Sequence, residues 1–343
     1  ELVNQSGLNS FLGIGPKWLE LQELIKLSSK KFSPNSETFL KDFHFNTLAN
    51  HAILIKGSRK FALEKIAYHL QQKKHQTVLE VNLDSMQQNY YFLKSKLNQS
   101  TKIMAMVKAF AYGSGSFETA KLLEHLKVDY MAVAYADEGI ALRQAGIQTP
   151  MMVLNIEPDA IEPLLEHHLE PVIGSFHQME AFIKSGNSIP IHLELDTGMH
   201  RLGFQFKDLE MLIEKLKQSP HLKVASIFSH LAASDESDKD SQTHKQIQNF
   251  KHFAEEIKNA LGITPLLHLN NSAGTLRFKE AAFDMVRLGI ALYGIDSSNQ
   301  FNEYLQSVFT FRTQITQIKT IPAGEGIGYG FNDLSNHERK IAI

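Results

Sequence analysis

Eight apolar runs, each followed by a stretch with helical spacing, constrain this chain more than any other feature. They fall at about residues 102–108, 129–134, 151–155, 170–175, 189–197, 224–231, 266–271 and 285–293. Helical segments such as Phe117–Leu126, Asp137–Ala145, Leu209–Leu216 and Gln246–Leu261 separate them. Eight strand–helix repeats over roughly 200 residues predict an α/β fold, a parallel (β/α)8 TIM barrel. A doubly wound open sheet has similar periodicity and is the structural alternative.

The flanks break this rhythm. In residues 1–74, Trp18, Leu21, Leu24, Ile25 and Leu27 recur at helical spacing. Ala52-Ile53-Leu54-Ile55 reads as a buried strand, and Lys56–Arg59 as a turn into a helix carrying Phe61, Leu63, Ile66 and Leu70. The polar stretch Gln71–Gln76 marks a boundary. Val78–Leu83 reads as a strand, with Asp84 and Gln87 placed to cap the next helix reciprocally. After Tyr293-Gly294, Val308–Ile315 alternates like a half-buried antiparallel strand, and Pro322–Gly330 is a glycine-rich turn. The expected domains are therefore 1–74, 75–305 and 306–343, the last mainly β. Arg339–Ile343 reads like the middle of a strand and the chain opens without methionine, so a truncated β domain and a longer parent polypeptide are expected.

Composition narrows the function classes. Thirty-five basic residues face thirty-seven acidic ones, so no global field steers the protein toward nucleic acid or an anionic membrane. The absence of cysteine excludes disulfides and thiolate chemistry and is compatible with a cytoplasmic setting. No apolar run approaches the ~18 residues that cross a bilayer, and the start Glu1–Gln5 does not resemble a signal peptide.

In such a barrel, functional groups gather where strands end. The first run, Ile103-Met104-Ala105-Met106, leads into Lys108, with Tyr112 close behind. An apolar wall desolvates that amine, lowers its pKa and suits it to condense with an aldehyde. The fifth run leads into Asp196–Gly203, which contains Arg201. The sixth ends in Ser229-His230, the seventh in Asn270-Asn271-Ser272, and the eighth carries Arg287. Each alone reads as a capped turn or a surface side chain. Together they converge on one rim.

Six stretches resemble the alanine racemases in the family's order: VKAFAYGSG (107–115), LDTGMHRLGF (195–204), FSHLAASD (228–235), LNNSAG (269–274), MVRLGIALYG (285–294) and AGEGIGYG (323–330). The resemblance spans about residues 77–343. It implies a pyridoxal 5'-phosphate (PLP) enzyme interconverting L- and D-alanine, with Lys108 holding the cofactor and acting as one of two acid/base groups. The other would be Tyr329, reaching into the neighbouring subunit of a homodimer. By the same resemblance Arg287 faces the pyridine nitrogen, His230 bridges that arginine to the tyrosine, and Arg201 lies near the cofactor's phenolic oxygen and the substrate carboxylate. Tyr112, Ser272, Gly289 and Ile290 align with the phosphate-binding groups. Glu194 occupies a position where many relatives have a carbamate-bearing lysine; its carboxylate is expected to supply that negative charge toward Arg201. Ala52–Arg59 with Leu63-Glu64-Lys65 resembles the C-terminal end of UDP-N-acetylmuramoyl-tripeptide–D-alanyl-D-alanine ligase, which implies a ligase–racemase fusion serving the cell wall.

Other signals are weaker. Sixteen histidines show no metal-ligand spacing, so no metal is expected. Gly13–Lys17 does not fit a phosphate-binding loop and reads as a plain turn, and Asp235–Asp240 reads as a solvated loop. The competing functions are another amino-acid racemase or decarboxylase on the same fold, and a non-catalytic PLP-binding barrel.

Overall fold

A computed structural model describes residues 2–48, 51–70, 77–157 and 160–343. The expected boundary at Gln71–Gln76 lies outside them. The chain forms two compact units, one of Leu79–Phe311 and the other of Glu1–Val78 with Arg312–Ile343.

The larger unit is a closed parallel barrel of eight strands. In chain order these are Lys102–Met106, Tyr130–Val133, Met151–Val153, Glu170–Ile173, Ile189–Glu194, Leu222–Phe228, Leu266–His268 and Met285–Leu288. The eighth pairs with the first, Met285 opposite Lys102 and Leu288 opposite Ala105, which closes the ring. All eight apolar runs are barrel strands. The last run is shorter as a strand than expected, because its second half, Ile290–Tyr293, winds into a 3-10 turn.

Both faces of every strand are covered, and the side chains separate by parity. Ile103, Ala105, Met131, Val133, Met151, Val153, Leu193 and Ile227 belong to the layer packed under the helices. Met104, Met106, Ala132, Met152, Val172, Phe228 and Met285 form a second cluster in the barrel interior. The fifth and sixth strands carry an irregularity: Ile191 faces Val224, but His192 faces Ser226, so Ala225 is skipped.

The longest helix, Asp240–Leu261, buries Thr243, Gln246, Ile247, Phe250, Phe253, Ala254 and Ile257, one face at three- and four-residue spacing, and ends on the left-handed Gly262. It starts six residues before the expected Gln246. Asp240, expected in a solvated loop, instead forms the first helical residue and pairs with Arg277 at 2.8 and 2.9 Å. No long helix follows the eighth strand. Leu83–Lys94, from before the first strand, packs there, and Asn89 hydrogen-bonds Leu292 and Gln306. This helix is capped by Asn82, whose side chain accepts from the Ser85 N–H, rather than by Asp84. Asp84 is already one residue inside the helix, where it can interact only with the dipole.

The second unit differs more from expectation. Ala52–Ile55 forms no strand and is exposed, Leu54 by 84%. A buried strand needs pairing partners and a covering layer, and the described residues supply neither here. The Trp18–Leu27 pattern breaks into a helix, Pro16–Glu20, and a 3-10 turn, Gln22–Leu24, leaving Leu21 and Leu24 exposed. The parallel strands of this unit are Ser10–Ile14 and Ser29–Ser33. Gly13–Lys17 is thus a strand end running into a helix, with Pro16 at its first position. The expected helix after Arg59 is a 3-10 turn and Glu64–Leu70, interrupted at Ala62 with φ 47°. In the C-terminal part, Ile318–Ile321 pairs antiparallel with Arg339–Ala342. The strand expected over 308–315 is confined to its first half, Phe309–Arg312, which pairs with Val78–Val81 and, but for its last residue, belongs to the larger unit.

Candidate active site

Lys108 follows the first barrel strand by two residues and opens a left-handed turn. Ala109, Phe110, Ala111 and Tyr112 all have φ between 52° and 56°. Left-handed backbone costs roughly 1–2 kcal/mol per non-glycine residue, so something must hold the turn. The Glu138 carboxylate does part of this, accepting from the Ala109 and Ala134 N–H groups at 2.7 Å each. Burial and the nearby Arg201 lower the Lys108 pKa, with Glu138 opposing them. Among the described residues, no group hydrogen-bonds its amine.

Arg287 lies on the eighth strand, 4% exposed, in the barrel interior. Nη2 donates to the carbonyls of Ser229 at 2.6 Å and Leu269 at 3.0 Å and contacts His230 Nδ1 at 3.3 Å. Nη1 contacts His268 Nδ1 at 2.8 Å. No described residue accepts from Nε. Burial lowers the arginine's pKa to about 10, opposed by Glu194, which leaves it a cation at neutral pH. Burial, then Arg287, Arg201 and Lys108, push His230 down to about 3, so that imidazole is neutral. Gln246, the buried polar residue on the long helix, fixes the loop around it by donating to the His230 carbonyl and accepting from the Ala232 N–H.

Arg201 sits on a loop closed by Asp196, which accepts from the Gly198 and His200 N–H groups and contacts the His200 ring. Gly203 turns back against the strand so tightly that an added Cβ would lie 2.7 Å from Asp196 N. Glu194, at the end of the fifth strand, is 8% exposed. Burial raises its pKa, and Arg287 opposes this more than Arg201 does. Among the described residues it forms no ion pair within 4 Å.

On the eighth-strand side, the Ser272 hydroxyl accepts from Gly289 N–H at 2.9 Å and Ala291 N–H at 3.3 Å. Tyr112 packs on Tyr293 with ring centroids 4.8 Å apart, and burial raises its pKa. A Cβ on Gly289 would stand 2.7 Å from the Tyr112 hydroxyl oxygen, so only glycine keeps this corner open.

These groups share one cavity of about 240 Å³ at the strand ends. Lys108, Tyr112, Arg201, His230, Ser272, Arg287, Gly289 and Ile290 all line it. The remaining expected residue, Tyr329, belongs to the other unit, where its side chain is fully exposed. Asn271, expected at the rim with Ser272, lines it as well, whereas Met106, Leu154, Phe228 and Asp235 were not singled out as site residues from the sequence. Asp235 was expected in a solvated loop, but the turn after Ser234 carries it to the rim. Glu138 and Gln246 also escaped. A buried glutamine on an otherwise apolar helix face was the available signal for the latter.

The donor set fits PLP: an unpartnered amine, an unpartnered arginine Nε in the interior, and a hydroxyl beside backbone N–H groups that a Cβ would block.

Residues 81–297 match the alanine racemase N-terminal domain family. The alanine racemase of a Nostoc species is 36% identical over 276 residues, 77% of this chain and 71% of the relative. The Clostridium difficile alanine racemase structure is 34% identical with a TM-score of 0.69, covering 78% of this chain and 72% of that one. The Bartonella henselae enzyme, solved with covalently bound pyridoxal phosphate, is 26% identical with a TM-score of 0.70 over 78% of this chain and 74% of its own. By this match and these identities, the chain belongs to the alanine racemases, PLP enzymes that interconvert L- and D-alanine.

Proposed function

We propose that this cavity racemises alanine by a two-base route in which Lys108 serves one face of the substrate and Tyr329, supplied by a second subunit, serves the other. When bound, the cofactor takes up the electron pair left behind by the α-proton. The residues do the rest. Lys108, half-buried with a lowered pKa, holds the cofactor and moves a proton at Nζ. Arg287 stays protonated, so Nε–H is a hydrogen-bond donor that keeps its proton rather than passing it to a ring nitrogen. His230 accepts from Arg287 at Nδ1, which leaves its proton on Nε2 to orient the tyrosine. Arg201 binds the substrate carboxylate. Ser272, the backbone of Gly289 and Ile290, and the Tyr112 hydroxyl bind the phosphate. Gly289 N–H already donates to Ser272, so the anion shares that pair rather than replacing it.

The observation that carries this reading is the unpartnered Lys108 amine in one cavity with the Arg287 guanidinium. Borohydride treatment of the chain with PLP should fix the cofactor on the peptide containing Lys108. A protein that stays colourless and unmodified there would end the proposal. Tyr329→Phe should lower racemisation, followed by optical rotation of L-alanine, at least ~10²-fold; unchanged turnover would remove the second base.

The need for a tyrosine from outside the barrel supports a homodimer; the near-balanced charge gives no pull toward nucleic acid or membrane, and the lack of cysteine is compatible with a cytoplasmic setting. Residues 1–74 are proposed as the end of a ligase that consumes the D-alanyl-D-alanine dipeptide for peptidoglycan. That rests on sequence likeness over Ala52–Lys65. Sequencing the gene upstream should read in frame into an ATP-binding ligase; a stop codon before it would exclude the fusion.

A further inference from the structure

Arg287 is the top of a hydrogen-bonded line that crosses the barrel interior to its opposite end. Its Nη1 meets His268 Nδ1 at 2.8 Å. His268 Nε2 meets the Ser226 hydroxyl at 2.8 Å. That hydroxyl meets His192 Nδ1 at 2.6 Å, and His192 Nε2 meets Glu170 Oε2 at 2.9 Å. His268, Ser226 and His192 are wholly buried. Glu170 opens the fourth strand, at the end away from the cavity.

The chemistry of the two ends, with Ser226 donating its one proton within the line, fixes the direction of every bond between them. An arginine only donates and a carboxylate only accepts. His268 Nδ1 must therefore be an acceptor, which puts its proton on Nε2, donating to Ser226. Ser226 then donates to His192 Nδ1, and His192 donates from Nε2 to Glu170. Both histidines carry Nε2–H and accept at Nδ1, and each of the three interior groups donates once and accepts once along the line. Phe228 stacks on His268, with centroids 4.9 Å apart and planes at 7°, and Tyr130 sets its edge against His192, so each ring is packed by an aromatic neighbour. The strand irregularity is what makes the line continuous. Had Ala225 faced His192, the serine hydroxyl would lie one residue out of register.

We propose that Glu170, His192, Ser226 and His268 form a one-directional relay that positions Arg287, and that Glu170 is a remote positioning residue for the reaction. The carboxylate draws each interior proton toward itself and makes His268 Nδ1 a stronger acceptor for the arginine. Burial and Arg287 hold His268 well below the usual histidine range, which keeps it neutral as the relay requires. Around Glu170 the other facing groups are Tyr130, whose pKa rises to about 12 through burial and the carboxylate, and Arg143, whose cation the carboxylate favours. Glu170→Leu leaves the His192 Nε2–H without an acceptor. If the histidine then takes its other tautomer, the line reverses and ends with a donor facing the donors of Arg287. Either outcome disturbs the arginine from the far end of the barrel.

The proposal deepens the assignment of Arg287 as a cofactor-facing residue and rests on it for its kinetic consequence only. Neutron diffraction from deuterated crystals of the full chain reads the relay directly, with or without cofactor. Deuterium on Nε2 and none on Nδ1 of both His192 and His268 is expected; deuterium on Nδ1 of either overturns it. In PLP-loaded enzyme, Glu170→Leu should lower kcat about tenfold with KM within twofold. Glu170→Gln, whose amide oxygen can still accept from His192, should recover most of the loss. Kinetics of Glu170→Leu equal to the unsubstituted enzyme overturn the positioning role, as does a loss confined to KM. Should the leucine variant fail to fold, Ser226→Ala breaks the same line with a smaller change and is expected to lower kcat in the same way; an unchanged kcat overturns the role. A protein that takes up no PLP would defeat the functional assignment while leaving the neutron result to decide the relay.

Discussion

The barrel interior has two unlike halves. The first three strands and the end of the fourth contribute Met104, Met106, Ala132, Met152 and Val172, an apolar filling with three methionines that adapt to the space. From the start of the fourth strand to the eighth, the inward positions hold Glu170, His192, Glu194, Ser226, His268 and Arg287, with the apolar Phe228 and Met285 among them. One half excludes water and desolvates Lys108 at its rim. The other carries ionisable groups held by hydrogen bonds, apart from Glu194, which has only the nearby charges of Arg287 and Arg201 to offset its burial. The difference teaches that packing and reactivity are divided around the ring, with stability supplied on one side and charge held on the other. A substitution should therefore be felt as a loss of fold in the first half and as a loss of function in the second.

The sharpest way to break this contrast is to put an apolar side chain into the reactive half. Arg287→Met should lower racemisation about 10²–10³-fold, the scale of removing one preorganised donor. It should also leave Glu194 facing less positive charge. Near-normal turnover in that variant would erase the distinction between the halves. In the apolar half, Met152→Ala should cost about 2–5 kcal/mol of unfolding free energy, read by denaturant titration. Its turnover at low temperature should stay within about threefold. A turnover loss as large as that of Arg287→Met, without a change in stability, would show that the apolar half takes part in the chemistry.

His230 gives a pH-dependent version of the test. Its folded pKa of about 3 lies below that of a free imidazole. Between that value and ~6.5 the unfolded chain binds the extra proton, so stability is fully present above ~6.5 and is lost as pH falls toward 3. The loss is at most on the order of 4–5 kcal/mol. Unfolding of the unsubstituted protein followed from pH 7 to 4 should show this slope. His230→Gln, which keeps an acceptor for Arg287, should flatten it; an equal slope in both proteins would place the acid-sensitive group elsewhere.

How far the sequence revealed these halves depends on which physical rule each obeys. All eight strands were visible as apolar runs, because helices cover the barrel outside and side chains fill it inside. For the same reason, the division between inward and outward residues was hidden: in Ile103–Met106 every residue is apolar, and only the parity of the finished barrel separates Met104 from Ala105. His192, Ser226 and His268 read as polar interruptions of apolar runs, and a pairing irregularity such as the one at Ile191 leaves no local sign. The candidate site was legible because its groups sit at strand ends within distinctive stretches, and Lys108 through Ile290 meet in one cavity. Tyr329 was legible from resemblance alone. The misreading of Ala52–Ile55 has a different origin: four consecutive apolar residues satisfy a strand pattern, but burial depends on partners that no local pattern contains.

The smallest expected effect concerns Glu194, where the two halves of the argument meet in one carboxyl. It is buried in the reactive half, and burial raises its pKa more than Arg287 and Arg201 lower it. The folded protein therefore holds the proton at pH values where the unfolded chain has released it. The sign follows: stability contributed by this group is greatest below the unfolded carboxyl pKa and declines as pH rises through the raised folded value. Glu194→Gln mimics the protonated form at nearly constant volume, so it should remove that decline. The unfolding free energies of the two proteins should converge toward acid and separate toward neutral pH, with the glutamine variant the more stable there. Turnover should fall in the same variant if the carboxylate orients Arg201, giving opposite signs for stability and rate. A variant that is less stable at neutral pH would mean that the arginines outweigh burial, and that Glu194 belongs with the groups whose charge supports the fold.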